Sequence, residues 1–532
     1  MADLTVEMYD TTLRDGAQQE GMNLSVADKM AIAGLLDQLG VGVIEGGWPG
    51  AVPKDTEFFA LVHKELTFEH AQFAAFGMTR SARSTWRMSD LATSVMIGAS
   101  ESSSALTCGS LAAVVPARRV SGDENLRMIE DTVAFLVDEG RRVILDAEHF
   151  FDGYRFDADY AVKALLAAQA GGASALVLCD TNGGMLPDDV TSIVSTVASR
   201  TEAALGMHAH NDSGCAVANT MAAVAVGATH VQGCVNGYGE RTGNADLVAV
   251  AANLEIKRGM IALKHDGLKE STRIAHAISE ITNIAPFPRQ PYVGASAFAH
   301  KAGLHASAIK VDPDLYQHTD PSLVGNDMRM LVSEMAGRAS IELKGKELGF
   351  DLSGQSELLG RVTDRVKSAE AAGYTFDAAD ASFDLLLRSE IGDVPSYWTV
   401  ESWKVNVASA PSDPTDADAE AIVKLRVGGD RRVTTVGEGN GPVNALDHAL
   451  REALMSVYPE IERFELTDFK VRIMDASHGT DAVTRVLITT VETETGRSWR
   501  TVGVGPNVIE ASWEALTDAL FYGLLKAEIE PR

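Results

Sequence analysis

The sequence predicts an α/β protein: a (β/α)8 TIM barrel, then a mainly helical linker region, then a C-terminal α+β domain with an internal repeat. Short apolar segments alternate with amphipathic stretches in the first half of the chain, and polar residues follow most of these segments. A pattern of strands followed by a helix then occurs twice after about residue 400. We expect the barrel to span residues 1–270, the linker 271–395 and the C-terminal domain 396–532.

Eight strand candidates, each a short apolar run, support the barrel. They lie at 6–9, 41–44, 73–76, 95–97, 143–145, 175–178, 203–207 and 231–235. The stretches between them carry apolar residues at helical spacing, as in Met30, Ala33, Leu36 and Leu39 before Gly40. Eight strands that alternate with helices are typical of a closed parallel barrel.

The linker region is less regular than the barrel. It contains helical stretches near 268–282 and 327–348, a proline-containing connection at 286–288 and a segment rich in Gly and His at 299–309. These features predict helical subdomains between the barrel and the C-terminal domain.

The C-terminal domain contains an internal repeat of βββα type. In each copy we identify two strands and a helix that opens with Gly-Pro. The first copy has strands at 422–427 and 432–436, and the second has strands at 483–488 and 498–502. Because each copy is too small to bury its own apolar face, the two are expected to pack as a pseudosymmetric pair.

The bulk composition is that of a globular enzyme, with 532 residues, 45% of them hydrophobic and 23% charged. A net charge of −28 argues against nucleic acid or an anionic membrane as partner, since both require a basic surface. The first residues lack a basic and an apolar region, and no apolar run approaches a membrane span, so a cytoplasmic location is expected. The four cysteines, at 108, 179, 215 and 234, are expected to be reduced thiols.

A histidine pair marks the end of the seventh strand. His208 and His210 are separated by one residue, so in a strand both imidazoles project to the same side, where they could bind a divalent metal. Buried histidines that merely satisfy hydrogen bonds are common, and the pair alone does not establish a metal site. Polar residues also follow other strands, at 10–15, 45, 146–149, 180–182 and 236–244. Functional groups of TIM barrels gather at these strand ends.

Two oxygen donors are expected to lie near the histidine pair. Asp15 follows the first strand, and strand eight neighbours strand one in a closed barrel, so the loop at 236–244 lies close to it. Asp15 and Asn244 can therefore complete a ligand set with the two imidazoles. Oxygen and nitrogen ligands of this kind admit Mg, Mn, Co or Zn.

Three motifs resemble the barrel-type acyl-CoA condensing enzymes and lyases, the family that includes the isopropylmalate, homocitrate and citramalate synthases and hydroxymethylglutaryl-CoA lyase. They are Asp10-Thr-Thr-Leu-Arg-Asp-Gly16, His208-Ala-His-Asn-Asp212 and Asn236-Gly-Tyr-Gly-Glu-Arg-Thr-Gly-Asn244, in the order and at the spacing of the family. The resemblance implies that Asp15, His208 and His210 bind the metal and that Asn244 is a fourth, weaker or conditional ligand.

The same resemblance implies roles for three further barrel residues. Arg14 lies beside the keto oxygen of the substrate, where a guanidinium stabilises oxyanion charge; the alternative is an ion pair with its neighbours. Thr181 hydrogen-bonds the substrate carboxylate, or else caps a helix. Glu148, at the end of the fifth strand, contacts the acetyl methyl group, with a barrel-rim ion pair as its alternative.

Past the barrel, residues 299–306 resemble the family segment from which a histidine reaches the active site of a partner chain. On that basis His305 is a candidate acid or base, Tyr316 its companion, and His300 a further candidate. Ser307 and Ala308 stand where many relatives have Asp-Gly, so no role of that aspartate carries over.

The resemblance implies a reaction between a 2-oxo acid and acetyl-CoA. The metal would bind the keto oxygen and carboxylate of the 2-oxo acid and make the keto carbon electrophilic. A base would remove a proton from the acetyl methyl group, the enolate would attack the keto carbon, and hydrolysis of the thioester would release CoA.

Particular segments distinguish the branches of the family. Lyases carry a cysteine in the glycine loop, whereas residues 236–239 are Asn-Gly-Tyr-Gly, and lyases lack the repeated C-terminal module. Segments 146–153 and 178–184 are most similar to the longer citramalate synthases, which condense pyruvate with acetyl-CoA toward isoleucine. The alternatives are an isopropylmalate synthase, which uses 2-oxoisovalerate toward leucine, and a non-enzymatic, metal-stabilised amino-acid sensor.

The repeated C-terminal module is similar to the regulatory domain of isopropylmalate and citramalate synthases. This similarity implies a homodimer and feedback binding of an amino-acid end product, which is isoleucine if the substrate is pyruvate. The expected partners are therefore a 2-oxo acid, acetyl-CoA, a second copy of the chain and an amino-acid effector.

Overall fold

The computed structural model describes residues 4–80, 105–111, 121–264, 266–409, 417–428, 431–474 and 482–532. The chain forms two compact units. The first consists of residues 1–298 and 319–327, and the second of residues 299–318 and 328–532.

The first unit is a closed barrel of eight parallel strands, as the sequence predicts. The strands are β1 (Glu7–Asp10), β2 (Val43–Glu45), β3 (Gln72–Met78), β4 (Ala105–Leu111), β5 (Arg142–Glu148), β6 (Ala175–Asp180), β7 (Ala204–Ala209) and β8 (His230–Gly233). β8 pairs with β1 from Glu7 opposite His230 to Asp10 opposite Gly233, which closes the barrel. The carboxyl ends of all strands therefore face the same side of the barrel.

The fourth strand differs from its sequence-based position. The segment 95–97 lies outside the described residues, and the strand between β3 and β5 is Ala105–Leu111. Its sequence, ALTCGSL, contains mostly small and polar residues. A search for apolar runs therefore misses it, and its place is fixed by pairing on both sides.

Helices follow the strands and pack their apolar sides on the barrel. They are α1 (Val26–Leu39), α2 (Pro53–Glu65), α3 (Gly122–Asp138), α4 (Phe150–Phe156), α5 (Ala158–Ala170), α6 (Pro187–Ala198), α7 (Ala216–Ala225), α8 (Leu247–Ala252) and α9 (Ser271–Thr282). In α1 a capping box between Ser25 and Asp28 satisfies the first backbone N–H groups, and Gly40, at φ 85°, ends the helix. Ala33, Leu36 and Leu39 are buried, as their spacing predicts.

The second unit begins with helical segments. They are α10 (Gly303–Ile309), α11 (Arg338–Glu347), α12 (Ser356–Ala371) and α13 (Asp380–Ile391). A short parallel pair, β9 (Ala299–His300) with β10 (Arg329–Met330), joins two parts of this region. Apolar residues of α11 to α13, among them Ile341, Val362 and Phe383, form its core.

The C-terminal part of the second unit confirms the predicted repeat. Each copy is a three-stranded antiparallel sheet followed by a helix. The elements are β11 (Trp398–Ser409), β12 (Ala417–Val427), β13 (Arg431–Gly439) and α14 (Pro442–Met455), then β14 (Phe464–Ile473), β15 (Thr484–Glu492), β16 (Ser498–Gly505) and α15 (Val508–Lys526). The first strand of each copy carries a register shift near its start, between Val400 and Ser402 and between Leu466 and Asp468. The copies thus share even a local irregularity.

The cysteines whose side chains are described, Cys179, Cys215 and Cys234, are free thiols. Among the helices of the described ranges, none combines the length and the apolar character that crossing a membrane requires.

Candidate active site

A cavity of about 480 Å³ opens at the carboxyl ends of the barrel strands. Several predicted site residues line it: Arg14, Asp15, Glu148, Thr181, His208 and His210. Because these residues follow different strands, closure of the barrel brings them together across large distances in sequence. Their side chains share one cavity with apolar residues that include Trp48 and Phe76.

Asp15, His208 and His210 converge at the bottom of this cavity. Asp15 Oδ2 lies 3.1 Å from His208 Nε2 and 3.5 Å from His210 Nε2. The two Nε2 atoms are 3.4 Å apart, and all three side chains are buried. One ligand atom from each residue lies within 4.8 Å of the others, a spacing that one cation can bridge.

Asn244 lies next to this cluster, since it forms an isolated antiparallel bridge with His210. Its Nδ2 donates to the carbonyl oxygen of Tyr238 at 3.1 Å. In the part of the chain that the structure describes, its buried Oδ1 has no hydrogen-bond partner. A buried oxygen without a donor costs free energy unless something binds it, so Asn244 fits the role of an oxygen ligand.

Two glycines of the loop 236–244 allow the backbone to pack closely around Asn244. A Cβ atom on Gly239 would lie 2.3 Å from Asn244 Nδ2, and one on Gly243 would lie 1.9 Å from the carbonyl oxygen of Gly237. Gly239 and Gly243 also have φ values of 147° and 87°. Only glycine tolerates both the close approach and this backbone conformation.

The protonation states of the cluster suit metal binding. Burial opposes the charge of Asp15, but Arg14 and the two imidazoles hold its pKa well below its usual range. Burial and the adjacent His208 lower the pKa of His210 to about 4, so its imidazole is neutral at pH 7. Burial also opposes a charge on His208, but the hydrogen bond to Asp15 raises its pKa. A cation between them would displace that proton, as metals do at such ligands.

Arg14 is held rigidly at the edge of the cluster. Its Nε donates to Glu45 Oε2 at 2.5 Å, and its guanidinium lies over the ring of Phe76, 4.2 Å from the centroid. One terminal nitrogen is 3.9 Å from Asp15 Oδ1. The ion-pair alternative is therefore realised with Glu45, and the remaining N–H groups are placed to meet a ligand in the cavity. Glu45 is buried completely and also accepts from Tyr9 Oη at 3.0 Å.

Glu148 and Thr181 line the cavity from β5 and β6. Glu148 ends β5, on the same side of the strand as Asp146, and both residues border the cavity. Thr181 Oγ1 accepts a hydrogen bond from the backbone N–H of His149 at 2.8 Å. The helix-cap alternative for Thr181 is wrong, because α6 begins after Leu186.

Two buried acids at this site, Glu45 and Asp146, have roles that the sequence does not predict. Glu45 positions Arg14, and Asp146 has a pKa raised to about 7 by burial and by Glu45. The sequence feature that could have indicated these roles is an acidic residue within or at the end of an otherwise apolar strand. Burial of such a residue is costly unless it is paired, so each needs a partner across the barrel.

His305 and Tyr316 belong to the second unit. Their rings stack with centroids 4.0 Å apart, and the ring of His300 lies 6.4 Å from that of His305. His305 lies in the first turn of α10 and is half-buried, whereas Tyr316 is 41% exposed. The rings of His305 and Tyr316 are therefore in direct contact, and their catalytic role stays a prediction.

Comparison with known proteins assigns families to all three regions. Residues 5–278 match the HMGL-like family, residues 292–373 the homocitrate synthase post-HMGL domain-like family, and residues 377–524 the LeuA allosteric (dimerisation) domain.

The (R)-citramalate synthase of Streptomyces coelicolor is 57% identical over 530 residues, which cover 99% of this chain and 98% of the relative. The (R)-citramalate synthase of Aquifex aeolicus is 45% identical over 529 residues, with 99% of each chain covered. A probable 2-isopropylmalate synthase of Methanopyrus kandleri is 30% identical over 513 residues, with 96% of each covered.

Proposed function

The chain belongs to the (R)-citramalate synthases of the HMGL-like family, and on that premise we propose that its barrel condenses pyruvate with acetyl-CoA and water to give citramalate and CoA. This reaction makes it an acyltransferase that converts the acyl group into an alkyl group on transfer. The observation that carries the proposal is the convergence of Asp15, His208 and His210 in a cavity that Arg14 and Glu148 also line.

We assign the metal site to Asp15, His208, His210 and Asn244. A carboxylate, two imidazoles and an amide oxygen without a partner among the described residues fit a divalent cation. This ligand chemistry admits Mg, Mn, Co or Zn. When bound, the cation supplies Lewis-acid polarisation of the keto group.

The side chains around the cluster act on the two substrates. The hydroxyl of Thr181 donates to the carboxylate of pyruvate, and the guanidinium of Arg14 stabilises the negative charge that develops on the keto oxygen. Glu148 contacts the acetyl methyl group, which loses a proton before its carbon forms the new bond to the keto carbon. We assign His305, with Tyr316 stacked on it, to the active site of a partner chain, as the family resemblance implies. There it serves as the base that takes the methyl proton or as the acid that delivers a proton to the keto oxygen. Water then cleaves the thioester, and CoA leaves as the thiol.

The choice of keto acid is tested by a direct comparison. We expect thiol release from acetyl-CoA to be fastest with pyruvate, slower with 2-oxobutyrate, and slowest with 2-oxoisovalerate and 2-oxoglutarate. A pocket that fits a methyl group discriminates by about 1–3 kcal/mol per added methylene, or roughly 10- to 200-fold in kcat/KM.

The measurement is kcat/KM for each acid with the same metal-loaded enzyme, with acetyl-CoA alone as the blank. A clear preference for 2-oxoisovalerate would make the chain an isopropylmalate synthase instead. Thiol release with none of the acids would favour the amino-acid sensor.

We propose that the C-terminal domain binds an amino-acid effector and joins two chains into a homodimer. The match to the LeuA allosteric (dimerisation) domain supports both roles. A cavity of about 830 Å³ lies between the two repeats and is lined by Asp447, Arg451 and Glu462 together with apolar side chains such as Leu466 and Leu516. Charged groups of both signs beside an apolar wall suit the ammonium, carboxylate and aliphatic side chain of isoleucine.

Calorimetry on the full chain tests the effector. We expect isoleucine to bind and leucine to bind more weakly. Arg451→Gln is expected to weaken the binding of isoleucine by about tenfold or more, because it removes the guanidinium that pairs with the carboxylate of isoleucine. Arg432→Gln is the matched control, since Arg432 pairs with Glu401 at the surface of β13. If neither amino acid binds the native chain, the domain serves dimerisation alone, which light scattering measures.

A further inference from the structure

A line of hydrogen-bonded side chains runs inside the barrel toward the metal cluster. It starts with Arg142, at the beginning of β5, which donates to both carboxylate oxygens of Glu7 at 2.7 and 2.6 Å. Glu7, at the beginning of β1, contacts His230 Nδ1 at 2.8 Å, and His230 Nε2 lies 3.4 Å from Gln232 Nε2. The line therefore reaches β8 from the amino-terminal end of the barrel.

Gln232 connects this line to the metal cluster. Its Oε1 lies 2.8 Å from His208 Nδ1, and its Nε2 donates to Asp146 Oδ1 at 2.8 Å. Gln232 is completely buried and pairs with His208 in the register of β7 and β8. Gly206, two residues before His208, leaves the room that His230 needs, since a Cβ atom there would lie 2.9 Å from the His230 ring.

The donors and acceptors along the line have one consistent direction. Glu7 accepts, because burial opposes its charge but hydrogen bonds from His230 and Arg142 lower its pKa to about 2. His230 Nδ1 therefore donates to Glu7, and His230 Nε2 faces an N–H of the Gln232 amide. The other N–H of Gln232 is directed to Asp146. The amide oxygen of Gln232 is then left to face His208.

This direction determines which nitrogen of His208 can bind a cation. With Oε1 of Gln232 as its partner, His208 Nδ1 must carry a proton, so Nε2 provides the free electron pair toward Asp15 and His210. If the amide of Gln232 were reversed, its N–H would face Nδ1 and move the His208 proton to Nε2. The reversed amide would also place its oxygen against the carboxylate of Asp146.

We propose that Gln232 is a positioning residue for the metal site, and that Glu7 and His230, at the far end of the barrel, set its orientation. This inference rests on the metal site proposed above. Gln232 holds the ring of His208 by a hydrogen bond, and Glu7 acts through His230 and Gln232. Outer hydrogen bonds of this kind typically contribute about 10- to 100-fold to the affinity for a metal.

Binding of Co²⁺ to the metal-free full chain tests the proposal. Gln232→Leu is expected to weaken Co²⁺ binding by about 10- to 100-fold. Glu7→Leu removes the acceptor for His230 and is expected to weaken it by about tenfold, although Glu7 lies far along the strand. Glu7→Gln retains an acceptor oxygen and is expected to bind Co²⁺ within about twofold of the native chain.

Thr220→Val is the matched control for loss of a buried hydrogen bond, because Thr220 Oγ1 donates to the carbonyl oxygen of Ala216 within α7. Its affinity for Co²⁺ is expected to be unchanged. Native affinity in both Gln232→Leu and Glu7→Leu would overturn the proposal. If the native chain releases thiol while both leucine variants bind Co²⁺ normally, this inference fails and the proposed function stands. If both leucine variants bind Co²⁺ more weakly but the native chain releases no thiol, this inference stands and the proposed function fails.

Nuclear magnetic resonance of the Zn²⁺-loaded chain, labelled with ¹⁵N in histidine, provides a second measurement, and its first result comes from the native chain. The native chain is expected to show Zn²⁺ on His208 Nε2 and an Nδ1 proton that exchanges slowly with water. Zn²⁺ on Nδ1, or rapid exchange of that proton, would overturn the proposal. In Gln232→Leu the exchange is expected to become faster, an effect that a purely structural role for Gln232 would not produce.

Discussion

Replacing His208 with alanine is expected to lower turnover by at least about 10³-fold, even when divalent metal is added in excess. The variant retains Asp15 and His210 but loses the imidazole whose Nε2 lies 3.1 Å from the Asp15 carboxylate. The cation would then be bound weakly and in the wrong place to polarise the keto group. Thiol release from acetyl-CoA with pyruvate measures the effect, and titration with Co²⁺ measures the accompanying loss of affinity.

His276→Ala is the control for this variant. His276 is a half-buried histidine of α9 whose Nε2 contacts the carbonyl oxygen of Val293 at 3.0 Å, so it presents the same substitution away from the cavity. We expect near-native turnover in that variant. Full activity of His208→Ala with added metal would contradict the assignment of the cluster as the metal site.

The barrel could be predicted from the sequence wherever its strands are apolar runs. Parallel strands are buried on both faces, which gives β5 the apolar run at 143–145 and β6 the apolar run at 175–178. β4 has no such run, and only its pairing with Ala74 on one side and Arg142 on the other makes it a strand. Pairing of this kind depends on the closed barrel and has no local signal in the sequence.

The same contrast between local sequence pattern and contacts across the barrel explains which parts of the site the sequence predicts. His208 and His210 share a face because alternation is a local property of a strand, and the order of strands in a barrel brings Asp15 near them. Glu45 and Gln232 received no role, because their function depends on contacts with Arg14 and with Asp146 across the barrel. A single polar residue inside an apolar strand was the only indication, and it does not identify the partner.

Replacing Arg14 with methionine is expected to lower kcat by about 10²- to 10³-fold, the range found when one donor to a developing oxyanion is removed. The KM for pyruvate should change less, because the guanidinium stabilises charge that appears mainly in the transition state. Arg14→Lys is expected to recover part of the loss in kcat. Lysine retains the charge, but it lacks the planar guanidinium that can donate to Glu45 and to a ligand at the same time. Steady-state kinetics with pyruvate measure both variants.

A loss of stability could produce the same fall in activity, because Arg14→Met leaves the carboxylate of Glu45 buried without its partner. Removing one member of a buried ion pair costs about 3–5 kcal/mol in the free energy of unfolding. The double variant Arg14→Met/Glu45→Gln separates the two effects, since a neutral amide can still accept from Tyr9 Oη and needs no counter-charge. We expect the double variant to regain stability in thermal unfolding while kcat stays low. If kcat recovers with stability, Arg14 is a structural partner of Glu45 and has no direct part in the reaction.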